Sequence, residues 1–124
     1  MIHLDTNFLI GAANKHTPLE RVLRHWLVTG EKLAASSIAW AEFLNGPVSR
    51  EHIRDMNYLV EGRIVSFGAR EAQKAAELFN ITGRKRAARF DCFIAATAIC
   101  AGAPLATQNR KDFAPFTAAG LRLA

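Results

Sequence analysis

Short apolar runs alternate with longer stretches of helical periodicity along the whole chain, and this alternation limits the fold more than any other feature. Met1 to Leu4, Lys32 to Ser36, Ile64 to Phe67 and Leu105-Ala106 read as strands, with Leu121 to Leu123 a candidate fifth. Between them, Phe8 to Ala13 follows the polar turn Asp5-Thr6-Asn7. Thr17-Pro18-Leu19-Glu20 has the form of a capping box with proline at the first helical position. Leu19, Val22, Leu23, Trp26 and Leu27 then recur at helical spacing until Gly30. Ser36-Ser37 opens a helix that Asn45-Gly46-Pro47 stops, and Ser49 caps another over Arg50 to Val60. Arg70 to Ile81 is amphipathic, with Ala72, Ala75, Ala76 and Phe79 expected inward. Asp91 to Ala101 is apolar on almost every side and should pack in the core. Strands that alternate with helices predict an α/β layer fold around a parallel sheet with right-handed crossovers, whose sites gather at the carboxyl ends of strands.

At 124 residues and 50% hydrophobic content, one domain spanning 1–124 with a single shared core accounts for the chain. No repeat or linker composition divides it. Formal charge is +5 and the isoelectric point about 9.8, which favours a polyanionic partner. Cys92 and Cys100 fall in one predicted helix, about 12 Å apart at the helical rise, too far for a disulfide. They read as small buried hydrophobes suited to a reducing cytosol. Asp5 arrives before any signal-peptide apolar region, and the longest apolar stretch, Phe93 to Ala106, is broken by Gly102 and Pro104 and falls short of the roughly 20 residues of a membrane span. A cytoplasmic protein without membrane association is therefore expected.

The acidic residues fall into two groups. Glu31, Glu51, Asp55, Glu61 and Glu71 lie in polar surroundings, whereas Asp5, Glu42, Asp91 and Asp112 are set among apolar neighbours near element ends. A carboxylate there calls for a compensating cation, hydrogen bonds or a raised pKa. Singly, each has a plainer reading: Asp5, Asp91 and Asp112 as helix caps, Glu42 as a solvated helix residue. Together they carry more, because Asp5 follows the first strand and Asp112 the fourth, and the starts of the other two helices can converge on that edge. Four anionic oxygen donors without a Cys or His select Mg²⁺ or Mn²⁺, one or two ions, over zinc or copper. Such a site hydrolyses phosphodiesters without a nucleophilic side chain.

Four segments resemble, in order, the motifs of the PIN-domain family, and the short chain looks like a VapC-type toxin. They are Ile2-His3-Leu4-Asp5-Thr6-Asn7, Ser36-Ser37-Ile38-Ala39-Trp40-Ala41-Glu42-Phe43, Asp91-Cys92-Phe93-Ile94-Ala95-Ala96 and Leu105-Ala106-Thr107-Gln108-Asn109-Arg110-Lys111-Asp112-Phe113. The resemblance covers nearly the whole chain. It implies a PIN-like three-layer sandwich with a central four- to five-stranded parallel sheet flanked by helices. Asp5, Glu42, Asp91 and Asp112 would be the metal-binding and catalytic residues, with Asn7, Thr107 and Asn109 supporting them. Asn109 stands where the motif has a second acidic position, so it offers a carbonyl oxygen and no charge. The implied activity is that of an endoribonuclease toxin, cutting RNA by metal-activated water and neutralised by a VapB-type antitoxin. Homodimers and larger toxin–antitoxin assemblies are implied as well.

Arg84, Lys85, Arg86 and Arg89 precede Asp91 and offer positive charge to RNA phosphates, or else form a solvated loop. Trp40, Phe43, Leu44, Ile53, Met56 and Leu59 have helical spacing and read first as core; by the resemblance, part of this set forms a groove for the antitoxin. The alternatives are a PIN-like nucleic-acid or protein binding module without catalysis and a structure-specific DNA nuclease, for which the chain is short. A haloacid-dehalogenase-like phosphatase is disfavoured because Asn7 stands where it needs a second aspartate.

Overall fold

The computed structural model describes residues 1–12 and 14–124. Four strands, β1 (Ile2–Leu4), β2 (Leu33–Ser36), β3 (Ile64–Val65) and β4 (Leu105–Ala106), form one parallel sheet in the order β3-β2-β1-β4. Every residue of β1, β2 and β4 is buried. Successive side chains on a strand point to opposite faces, so burial of all of them means that helices cover both faces, giving three layers. Leu121 to Leu123 does not add a fifth strand. It touches the sheet through a single bridge, Leu105 to Leu123.

The helices described are α1 (Thr6–Gly11), α2 (Pro18–Val28), α3 (Ser37–Asn45), α4 (Arg50–Val60), α5 (Ala69–Ile81), α6 (Arg89–Cys100) and α7 (Arg110–Phe113). None of them is long and apolar enough to cross a membrane. The cap chemistry accounts for where they start: Thr17, Ser36 and Ser49 each accept a hydrogen bond from the backbone N–H three residues on. The predicted capping box at Thr17 is only half made, because the Glu20 carboxylate turns to Arg24 instead of back to Thr17. Ala13, the expected end of the first helix, lies outside the described residues. The sixth predicted helix, expected from Asp91, begins two residues early, at Arg89, preceded by a 3-10 turn over Arg86–Ala88.

The core joins the sheet to α1, α3, α5 and α6, with Phe43, Phe113, Phe116, Leu4, Leu9, Leu33, Leu78 and Ile94 among its largest fully buried side chains. Burial agrees with the expected core packing of α6, where Cys92 and Ile94 through Ala98 are buried. On α5 it departs from expectation: Ala75 and Leu78 carry the contact, Phe79 is half-buried, and Ala72 and Ala76 face solvent. Leucine buries more apolar area than alanine, so the helix turns the Leu78 side toward α6. Cys92 and Cys100 are both free, the first buried and the second partly exposed.

The strand order sets the location of a crevice. The chain leaves β1 toward β2 and β3, then returns across the sheet to β4 on the other side of β1. At that switch point, the connections after β1 and β4 diverge, and the carboxyl edge between them is left open.

Candidate metal centre

Asp5 stands at this opening, the first residue beyond β1. Its extended backbone lets the carboxylate cap α1, with Oδ1 accepting from the Thr6 N–H at 2.8 Å. Oδ2 accepts from the Thr107 hydroxyl at 2.7 Å and from the Asn7 amide at 3.3 Å. Capping and site geometry thus coincide in one side chain. Asp5 is 5% exposed, and burial raises its pKa against the opposing pull of the bonds from Thr107 and Thr6. The network continues across the β1–β4 gap. Asn7 Oδ1 accepts from the Gln108 N–H at 3.2 Å, and Thr107 Oγ1 from the Asn109 N–H at 3.0 Å. Asn109 therefore enters through its backbone, while its side chain is exposed.

Glu42 lies in the second turn of α3, not at its start as expected. It is reached from α1: the Thr6 hydroxyl donates to Glu42 Oε1 at 3.0 Å while the Thr6 N–H holds Asp5. Thr6 is thus the link between two of the four carboxylates. In the sequence Thr6 is marked only as part of the polar turn directly after Asp5, and its partner is 36 residues away.

Asp91 projects from the first turn of α6 and is partly buried. Its carboxyl is pushed up to about 6, first by burial and then by the negative charges of Asp5, Asp112 and Glu42. All four acids therefore share one electrostatic neighbourhood. Asp112, in α7, is exposed and not embedded as its apolar sequence neighbours suggested. With Asp91 it lines a cavity of about 370 Å³ that Thr82, Lys85, Lys111 and Phe116 also line. Among the described residues, none of the four forms a salt bridge. Also among them, no three His, Cys, Asp or Glu side chains close on a common point as metal ligands. The donor chemistry and the uncompensated charge fit a hard divalent cation that keeps part of its water shell, as Mg²⁺ does.

Residues 2–116 match the PIN domain. The chain belongs to the PIN-domain family. Solved structures agree over essentially its whole length. VapBC2 from Rickettsia felis, bound to a DNA fragment from its promoter, is 26% identical with a TM-score of 0.73, covering 100% of this chain and 98% of that one. FitAcB from Neisseria gonorrhoeae is 27% identical with a TM-score of 0.71, covering 99% and 96%. VapBC-1 from nontypeable Haemophilus influenzae, 23% identical with a TM-score of 0.70 over 100% and 97%, shares the fold. No curated protein matches the sequence.

Within this PIN domain, the predicted basic cluster divides. Lys85 reaches the cavity beside Asp91, and Lys111, which the sequence reading passed over beside Asp112, joins it there. Arg84 instead lies over the Phe79 ring, 5.3 Å from its centroid, and donates to Asn80 Oδ1. Arg89 lines a separate apolar groove with Phe79 and Phe93, and Arg86 is exposed. The apolar set divides as well. Phe43 and Met56 are core residues, Trp40, Ile53 and Leu59 pack partly buried against the core, and Leu44 is 43% exposed.

Proposed function

We propose that this PIN domain, a single unit over residues 1–124, is the endoribonuclease toxin of a type II toxin–antitoxin pair. The observation that carries the reading is the gathering of Asp5, Glu42, Asp91 and Asp112 at one sheet edge with no cationic side chain paired to them. Asp5, Glu42, Asp91 and Asp112 would hold one or two Mg²⁺ or Mn²⁺ ions. A cation bound there lowers the pKa of water and offsets charge on the phosphate and leaving oxygen. The chain's own residues set the geometry: Thr107 and Asn7 fix the Asp5 carboxylate, Thr6 ties it to Glu42, and Lys85 and Lys111 draw the phosphate to Asp91 and Asp112. Water then adds to phosphorus, the bond to the 3′ oxygen breaks, and the products carry a 5′-phosphate and a 3′-hydroxyl. Arg86, with Arg84 and Arg89 on its flanks, supplies longer-range attraction for the RNA backbone.

The toxin assignment draws on the resemblance to VapBC and FitAcB structures. A VapB-type antitoxin would cover the cleft and rest on the accessible members of the α3–α4 set, Leu44 first, then Trp40, Ile53 and Leu59. Homodimeric assembly and a cytoplasmic setting belong to the same proposal. The binding-module reading has one observation in its favour, that the carboxylates do not close into a ready-made ligand group. Cleavage of total cellular RNA by the purified chain in Mg²⁺, Mn²⁺ or EDTA, with Asp5→Asn alongside, separates the two. Discrete metal-dependent fragments absent from the variant are expected; cleavage that persists in Asp5→Asn, or none with any metal, would refute the nuclease.

A further inference from the structure

Phe90 is 55% exposed although it adjoins Asp91 in the chain. Its ring is held edge-on by Phe93, with centroids 5.9 Å apart and planes at 89°, and Phe93 in turn packs on Phe67 at 4.9 Å. This bracing fixes the ring while leaving it open to solvent, at one wall of a cavity of about 420 Å³. Ile38, Ala41, Asn45, Gly46 and Glu42 make up the rest of the lining. The size falls in the range of small-molecule sites, about 300–1,000 Å³.

The lining decides what class of group fits. No Lys or Arg contributes, and Glu42 is the single charged member, so a phosphate or an acidic side chain would be repelled. A flat neutral group with a polar rim matches an aromatic face, apolar walls and the Asn45 amide, which both donates and accepts. The acids touch both cavities, Glu42 lining this one and Asp91 and Asp112 the Lys85–Lys111 cleft. A single-stranded nucleic acid alternates anionic phosphates with neutral bases in the same way, and single-stranded RNA is commonly recognised by stacking of splayed bases on aromatic side chains.

We infer that Phe90 is the stacking platform for an RNA base next to the scissile phosphate, with Asn45 contacting the base edge, so that this cavity positions the substrate and sets base preference. The inference rests on the nuclease reading.

The test uses the full chain and oligoadenylate carrying one 2-aminopurine, with binding followed in Ca²⁺ and cleavage in Mg²⁺. Phe90→Leu keeps the apolar contact with Phe93 but has no aromatic face; Phe90→Trp restores one. Phe90→Leu should weaken binding roughly five- to 150-fold, the range of one base stack, and abolish 2-aminopurine quenching, while Phe90→Trp recovers both. Thermal unfolding should stay unchanged in both variants. Unaltered affinity and quenching in Phe90→Leu, in a wild-type chain that cleaves RNA, would overturn the inference alone. So would failure of Phe90→Trp to rescue, or a loss confined to self-association, which would make the groove a protein interface. A wild-type chain that neither binds nor cuts RNA would overturn the nuclease reading and this inference with it.

Discussion

Removing the charge of Asp91 should stabilise the metal-free protein, and the gain should depend on pH. In the folded chain this carboxyl keeps its proton up to about pH 6, whereas the unfolded value is 3.8. The folded state therefore binds more protons than the unfolded one between those limits, and the contribution of Asp91 to stability falls as pH rises through that window. The full shift corresponds to about 3 kcal/mol. Water screens a partly open carboxylate, which reduces the cost to about 1–2 kcal/mol. Asn at this position is nearly isosteric and carries no charge. The difference in unfolding free energy between Asp91→Asn and the parent, measured by urea titration in EDTA, should widen by about 1–2 kcal/mol from pH 4 to pH 7. At pH 7 this is a rise in Tm of roughly 4–8 °C for a chain of this length. The difference between the two proteins is the decisive quantity, because His3 titrates in the same range with the opposite sign. Saturating Mg²⁺ should reverse the order, since a ligand at a hundred times its Kd adds about 2.7 kcal/mol to the parent alone. A gap that stays constant from pH 4 to pH 7 in EDTA would show that neither burial nor the neighbouring carboxylates raise the pKa of Asp91 in the fold.

Two further substitutions probe the frame around the site. Thr6→Val removes the hydroxyl that reaches Glu42 but keeps the N–H that Asp5 accepts, so it should cost roughly 10- to 100-fold in metal affinity or cleavage, with Thr6→Ser close to the parent; equal activity in Thr6→Val would leave the bridge without a role. His3 is 1% exposed with both ring nitrogens lacking a partner among the described residues, and burial lowers its pKa from 6.5 to about 4. Its contribution to stability is lost as pH falls through that window, because the unfolded state gains the proton first. His3→Leu should stabilise the chain by roughly 1–3 kcal/mol at pH 5, less at pH 7.5, in urea titrations; a destabilised variant at both values would show that the imidazole is satisfied.

Much of the fold was legible in the chain because strand and helix signals are local. A serine three residues before a free N–H, or an all-apolar helix such as α6, needs no distant partner to be read. The α4 start follows from Ser49 in this way. The fifth strand failed because whether Leu121 to Leu123 pairs depends on where the segment after α7 is carried, and it makes only one bridge. Likewise Ala72 and Ala76 carry a helical period but not enough apolar area to orient α5 against Leu78.

Sequence by itself singled out the four acids and the parallel α/β frame that brings strand ends to one edge. Only the tertiary structure decided how they meet. Sequence separation of 36 residues hides the Thr6–Glu42 bond, and 102 residues hide the one from Thr107 to Asp5. Apolar neighbours in the chain made Asp112 look embedded, yet its side chain is exposed, because burial is set by what packs across from a residue and not by what flanks it. The same rule separates Lys85, which reaches the cleft, from Arg84, held against Phe79 on α5. A chain lists its charges in order, but their fields add in space.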